Sequence, residues 1–290
     1  MAQRERPNLR ARLAQKKLLV APGVFDGISA RIADQMDFEV LYMTGYGSVA
    51  SNLGLPDAGI ATYTDMVGRV AMIAGNSKTP LIADGDTGYG GLLNVQQTVR
   101  GYEKAGAIAI QLEDQEFPKK CGHMLGRRVV PIEDMVDKIK VATASRDDSN
   151  FLIIARTDAR TTLGLDEALR RAEAYSKAGA DILFVESPES LEEMRTIGRT
   201  FDKPLVANMV EGGRTPVLDQ KTLEEVGYSL AIFPAFGFLA AGEALRRVYS
   251  HLKQNGSSVD ADVPLYKFNA FSELMGFDAV AEFDKTYGRK

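Results

Sequence analysis

The chain has 290 residues, a formal net charge of −4 and a sequence pI near 5.4. Hydrophobic residues make up 45% and charged residues 26%, the balance of an ordinary globular protein, which excludes a disordered chain and a disulfide scaffold. The acidic balance argues against a nucleic-acid partner, which calls for a basic excess.

Cys121 is the only cysteine, His123 and His251 are the only histidines, and there is no Trp. A zinc site built from Cys and His needs more ligands than this. Any metal must be held mainly by carboxylates and water, which means Mg²⁺ or Mn²⁺. Met1–Lys17 is basic but lacks the apolar core of a signal peptide. No apolar run reaches the length of a membrane span. These features predict a protein of the reducing cytoplasm, with no membrane partner.

In chain order, a strand is predicted at Leu19–Ala21. Asp26 then caps a helix with Ile28, Ile32 and Met36 as its apolar face. Strands follow at Val40–Met43 and Leu81–Ala83. Asn94 starts a helix that turns Val95, Val99 and Tyr102 inward. A strand at Ala107–Leu112 leads to a helix opening at Pro131, with Ile132, Met135 and Ile139 on one face. A strand at Leu152–Ala155 precedes a helix after Asp166, carrying Leu169, Ala172 and Tyr175. The last strands are Ile182–Val185, Leu205–Ala207 and Leu230–Phe233. Each run is almost continuously apolar, the pattern of parallel strands buried on both faces.

Gly106, Gly179 and Gly227 each stand just before a strand, where a left-handed residue ends the preceding helix. Eight strand–helix units predict one (β/α)₈ barrel spanning residues 1–290, with 257–290 as a helical extension; an open doubly wound sheet is the alternative. Phe268, Phe271, Leu274, Met275 and Phe277 form an apolar cluster in that extension. His251 reads as structural.

In a barrel, residues after each strand share the catalytic face. Those ends read Thr44-Gly45-Tyr46, Asp84-Gly85-Asp86, Glu113-Asp114, Arg156-Thr157-Asp158, Glu186, Asn208 and Glu211. Solvent contact alone would also make single strand ends polar. Carboxylates at neighbouring strand ends, however, repel without a cation. Asp84 and Asp86 leave one face of an extended segment, and Glu113 ends the next strand. A hard dication resolves their repulsion, with Asp84 as the direct ligand and the others acting through water.

The segment Pro118-Lys119-Lys120-Cys121-Gly122-His123 reads as a loop that closes over this site. A lone cysteine is often a small buried hydrophobe. Flanked by Lys119, Lys120 and His123, Cys121 has the cationic setting that shifts a thiol toward reactivity. Asp57, after Pro56, lies in another loop above the barrel or simply forms a turn. Arg156 offers a planar fork for a substrate carboxylate. Glu186 and Glu211 orient Arg156, bind a hydroxyl, or form structural ion pairs.

These blocks resemble the isocitrate lyase/phosphoenolpyruvate mutase superfamily over nearly the whole chain. They include A-P-G-V-F-D-G-I-S-A from Ala21, Y-M-T-G-Y-G from Tyr42, L-G-L-P-D-A-G from Leu53 and D-G-D-T-G-Y-G-G from Asp84. Q-L-E-D-Q from Gln111, K-K-C-G-H from Lys119, A-R-T-D-A-R from Ala155 and A-N-M-V-E-G-G-R-T-P from Ala207 complete the set. The resemblance implies a barrel whose C-terminal helix is swapped onto a partner subunit, in a dimer that pairs into a tetramer. It implies a metal site at Asp84, Asp86 and Glu113 with Asp57 close by. Substrate-binding positions are implied at Tyr42, Thr44, Gly45, Tyr46, Gly122, His123, Arg156, Glu186, Asn208, Glu211 and Pro234.

The loop separates the branches. Lyases of the family resemble K-[KR]-C-G-H, whose Cys protonates the departing carbanion; phosphonate enzymes generally lack it, although proteins named carboxyphosphoenolpyruvate mutase carry the same loop. The segment Pro234-Ala235-Phe236-Gly237-Phe238-Leu239 lacks the Arg that 2-methylisocitrate lyases use for an extra carboxylate. Pro234 also replaces the Ser of the oxaloacetate-hydrolysing branch. The resemblance therefore points to lyases of the 2,3-dimethylmalate type, acting on a substituted malate with Mg²⁺. In that reading Tyr42, Asp57 or a metal-linked water removes the hydroxyl proton. Lys119, Lys120 and His123 hold the departing enediolate, and Cys121 protonates it. A P–C bond enzyme, a 2-methylisocitrate lyase and a non-catalytic binding barrel are the alternatives.

Overall fold

The computed structural model describes residues 8–288. The opening of the basic Met1–Lys17 segment and the last two residues of the 257–290 extension lie outside the described residues. The chain divides into two compact units, residues 1–237 and 238–290.

The first unit holds eight strands: β1 (Leu19–Val24), β2 (Leu41–Met43), β3 (Leu81–Asp84), β4 (Ala109–Glu113), β5 (Leu152–Thr157), β6 (Ile182–Val185), β7 (Val206–Asn208) and β8 (Leu230–Phe233). All pair in parallel, in the order β6-β5-β4-β3-β2-β1-β8-β7. A parallel bridge between Leu183 and Leu205 joins the two ends of that order, so the sheet is a nearly closed (β/α)₈ barrel rather than an open doubly wound sheet.

Alternate residues of each strand face opposite sides. Leu19, Ala21, Ile82, Ile154, Ile182, Phe184, Leu230 and Ile232 fill the interior. Met43, Ala83, Ile110, Ile153, Leu183 and Ala231 pack outward beneath the helices. With both faces buried, the strands had to be apolar throughout. The short helix Leu9–Leu13, capped by Asn8 accepting from the Ala11 N–H at 2.9 Å, adds Leu9 and Leu13 to the interior cluster.

Helices connect the strands: Gly27–Asp34 after β1, Gly45–Leu53 and Tyr63–Asn76 after β2, Leu92–Ala105 after β3 and Ile132–Ser145 after β4. Arg160–Leu163 and Leu165–Lys177 follow β5, Leu191–Thr200 follows β6 and Gln220–Glu225 follows β7. Gly106, Gly179 and Gly227 have φ of 106°, 110° and 95°, the left-handed backbone expected where helix turns into strand.

Two helix readings need correction. Asp26 does cap Gly27–Asp34, in a reciprocal box with Ser29. The buried face, though, is Ala30 and Ala33, while Ile28 and Met36 are exposed. A two-turn helix lying close to the barrel puts small residues at the contact. Asn94 does not start its helix: it sits one turn in, and its side chain accepts the Gly91 N–H at 3.1 Å.

In the second unit, the body of helix Phe236–Asn255 precedes helices Phe268–Met275 and Phe277–Tyr287. His251 packs locally, its Nε2 2.9 Å from the Val259 carbonyl. Phe268, Phe277 and Phe283 are exposed, and Leu274 is buried. Among the described residues no helix is long and apolar enough to cross a membrane.

Candidate active site

Asp84 and Asp86 leave the end of β3 and Glu113 ends β4, with all three side chains buried. Asp84 Oδ1 accepts from the Asp86 N–H at 3.0 Å and from Gln111 Nε2 at 3.3 Å. Its Oδ2 receives no hydrogen bond among those described, and it faces Gly45 at the start of helix Gly45–Leu53. A Cβ at Gly45 would stand 2.6 Å from that oxygen, so only glycine lets the helix start this close.

Burial, then the neighbouring Asp86, push the Asp84 pKa up to about 6. Burial also pushes Glu113 well above its ordinary range, with Asp158 and Asp84 adding to it. These carboxylates are short of positive charge and present oxygen donors only, so the residues fit a hard divalent cation. Among the described residues no three His, Cys, Asp or Glu side chains converge as an all-protein cage.

A metal is nevertheless not the sole answer to the repulsion argued from sequence. Lys119 is buried, contacts Asp57, and stands 2.6 Å from Asp86 Oδ1. Burial opposes its charge, but Asp86, Asp57, Glu113 and Asp84 together hold its pKa well above the ordinary lysine value. Asp57 is thereby a buried member of the site rather than a turn residue, its own pKa raised mainly by burial.

Arg156, on β5, forms the second centre. Its Nε and Nη2 donate to Asp158 at 2.9 and 2.8 Å. Its Nη1 lies 3.3 Å from Glu186 Oε2 and its Nε 3.5 Å from Glu113 Oε2. The guanidinium sits 5.2 Å from the centre of the Phe184 ring, a cation–π contact. Burial works against its charge, and Asp158, Glu113 and Glu186 outweigh that. Glu186 also accepts from Asn208 Nδ2 at 2.9 Å. Burial would raise its pKa, but Arg156, His123 and Arg127 bring it down to about 2.

The loop after β4 lies across both centres. Its root is paired, with the Glu116 N–H donating to the Arg128 carbonyl at 2.8 Å. Gln115 Nε2 donates to Glu113 Oε1 at 2.9 Å and to the Lys120 carbonyl at 2.8 Å. Gly122 packs on Arg156: a Cβ there would meet Nη2 at 2.3 Å and Glu186 Oε2 at 2.9 Å. Its carbonyl accepts from Ser187 Oγ at 3.0 Å.

Next to Gly122, burial pushes the Cys121 thiol up rather than down. That direction favours the protonated thiol, the form that can give a proton. His123 accepts the Arg214 N–H at Nδ1 at 3.2 Å, and burial lowers its pKa. Glu186, 3.9 Å from its Nε2, works the other way and favours its charge.

Two predicted residues, Lys120 and Glu211, stand apart from this cluster. Lys120 is exposed, its Nζ donating to the Gly126 carbonyl at 3.3 Å. Glu211 is exposed in the loop after β7. Tyr42 is buried in the barrel interior, where its hydroxyl donates to Gln111 Oε1 at 2.9 Å, and burial raises its pKa well above 10. Gln111 in turn donates to Asp84, so Tyr42 reaches the carboxylates through that amide. Thr44 is buried and its side chain does not cap the helix that it precedes; Tyr46 is partly exposed beside it. Pro234, half-buried after β8, abuts Gly23 through its carbonyl.

The sequence reading gave no role to Gln111, Gln115, Arg127 or Asp158, although it placed Asp158 among the strand ends of the catalytic face. Gln111 and Gln115 flank Glu113 at alternate positions, and Asp158 lies two residues beyond Arg156, so strand alternation was a usable signal for all three. A cavity of about 700 Å³, lined by residues such as Arg10, Leu13, Phe201 and Tyr228, includes none of these site residues.

A family model described as phosphoenolpyruvate phosphomutase matches residues 9–253. The chain belongs to the isocitrate lyase/phosphoenolpyruvate mutase superfamily. It is 48% identical to a 2,3-dimethylmalate lyase of Eubacterium barkeri, over 96% of each chain. It is 41% identical to a 2-methylisocitrate lyase of Aeropyrum pernix, over 99% of this chain and 92% of that one. Among solved structures, an oxaloacetate acetylhydrolase bound to 3,3-difluorooxalacetate superposes with a TM-score of 0.91 at 37% identity, covering 98% of this chain and 97% of that one. Members of the superfamily use a divalent metal.

Proposed function

We propose that this protein splits a substituted malate-type 2-hydroxy dicarboxylate, of the 2,3-dimethylmalate kind, into an α-oxo acid and a carboxylate. It is a carbon–carbon lyase of its superfamily. The observation that carries this reading is Cys121, a thiol kept protonated by burial, adjacent to the residue that packs on Arg156.

Arg156 binds a substrate carboxylate with the help of the amide end of helix Gly45–Leu53. In this reading Asp57, whose carboxyl is raised mainly by burial, takes the hydroxyl proton. The resulting alkoxide becomes a carbonyl, the C–C bond breaks, and its electron pair moves onto the carbon beside the second carboxylate. Cys121 gives that carbon its proton, and the proton held by Asp57 returns to the thiolate through solvent. General acid catalysis of this kind contributes roughly 10²–10⁴-fold.

Mg²⁺, with Mn²⁺ as a substitute, would be held directly by Asp84 and through water by Asp86 and Glu113. When bound it would act as a Lewis acid on the substrate's oxygens. Exposed Phe268, Phe277 and Phe283 support a dimer of dimers with exchanged C-terminal helices, and the single thiol suits a reducing cytoplasm.

The test is a screen of 2-hydroxy dicarboxylates with Mg²⁺, followed by pyruvate or glyoxylate release. Turnover of a substituted malate is expected. No release there, with activity on a phosphonate, would replace this reading with P–C bond chemistry.

A further inference from the structure

Arg127 comes from the root of the loop after β4, yet its side chain is wholly buried. A guanidinium taken out of water needs matched acceptors. Two of its nitrogens find them on β5 and the helix that follows: Nη1 donates to Asp158 Oδ1 and Nη2 to Thr161 Oγ1, while Nε is buried without a partner. Asp158 Oδ1 is the oxygen that also accepts from Arg156 Nη2. One carboxylate therefore joins the loop's arginine to the arginine at the mouth.

Both ends of this link are fixed by one buried hub. Asp114 Oδ1 accepts the Asp158 N–H at 2.9 Å. Its Oδ2 takes Thr157 Oγ1 at 2.8 Å and Tyr175 OH at 2.7 Å. Its backbone carbonyl takes the Val130 N–H at 2.9 Å, and Arg171 Nη1 donates to the Val130 carbonyl at 2.9 Å. The loop root and the Asp158 backbone thus share an anchor.

The charges give the link a purpose. Glu113, Asp158 and Glu186 surround Arg156. Three carboxylates against one guanidinium form a poor receptor for a dianion. Arg127 reduces that deficit by one charge.

We propose that Arg127 is a positioning residue that holds Asp158 turned toward Arg156 and supplies the second positive charge that a dicarboxylate requires. The proposal rests on the reading above that the mouth binds a dicarboxylate.

The test replaces Arg127→Gln and Arg127→Lys, and measures oxalate binding with Mg²⁺ by calorimetry beside steady-state kinetics. R127Q should weaken oxalate and raise KM by about tenfold or more, with kcat within about threefold of wild type. R127K, which keeps the charge, should recover most of that loss. A purely structural arginine would lower the melting temperature and leave KM alone. Should R127Q fail to fold, Thr161→Val removes one hold and keeps the charge, with an expected rise in KM of about threefold. Oxalate affinity unchanged in R127Q, or unchanged KM in T161V, overturns the proposal. Calorimetry decides it without turnover, whereas a wild-type protein that binds oxalate but cleaves no malate would overturn only the lyase reading.

Discussion

Replacing Gly122 with alanine would add one carbon where Arg156 leaves no room. The new Cβ would lie 2.3 Å from Arg156 Nη2 and 2.9 Å from Glu186 Oε2, roughly 1 Å short of ordinary contact for the first. Gly122 is not among the residues with positive φ, so backbone strain does not enter. Arg156 is held by two hydrogen bonds to Asp158, so the loop has to yield, and Cys121 moves with it. A displacement near 1 Å at a reacting group costs about 10²-fold in rate. The expected result for Gly122→Ala is therefore a fall of about that size in kcat/KM, followed as pyruvate release, with the melting temperature nearly unchanged because the loop after β4, and not the barrel strands, absorbs the shift. Gly68→Ala, at an exposed position within helix Tyr63–Asn76 with nothing within 4 Å, is the control, and should stabilise by roughly 0.5–1 kcal/mol. A G122A enzyme within threefold of wild type would refute the packing argument.

Further expectations concern the acid, the resident cation and the metal. Cys121→Ser should lose about 10²–10⁴-fold in turnover with the fold intact; near-normal kinetics would end its role. Because burial raises the thiol pKa, the donor stays protonated past the ordinary range of a free cysteine, so activity should fall only at pH above that range. A pH–rate profile already declining at pH 8 would contradict this. Lys119→Met leaves Asp57 and Asp86 buried without their partner, and denaturant melts should show a loss of about 3–5 kcal/mol. Chelation should abolish turnover and added Mg²⁺ restore it; full activity after exhaustive chelation would count against a metal.

The strands were legible because a parallel strand buried on both faces has no polar alternation to obscure it. The glycines at 106, 179 and 227 were equally plain, since few other residues accept that backbone. Side-chain direction was harder to read. Ile28 looked like core and lies in solvent, while Ala30 carries the contact. Lys119 and Lys120 are neighbours of one type, yet one is buried between carboxylates and the other exposed. Only the path of the loop separates them. Arg127 left no local mark, because its partners Asp158 and Thr161 lie more than 30 positions away along the chain.

Lys119 also bears on how the protein is made. Its ammonium lies where Asp57 and Asp86 would otherwise face each other bare. A new chain can finish its mouth with a counter-ion encoded in its own sequence. Closing the barrel over these two carboxylates therefore does not have to wait for a cation from outside the chain.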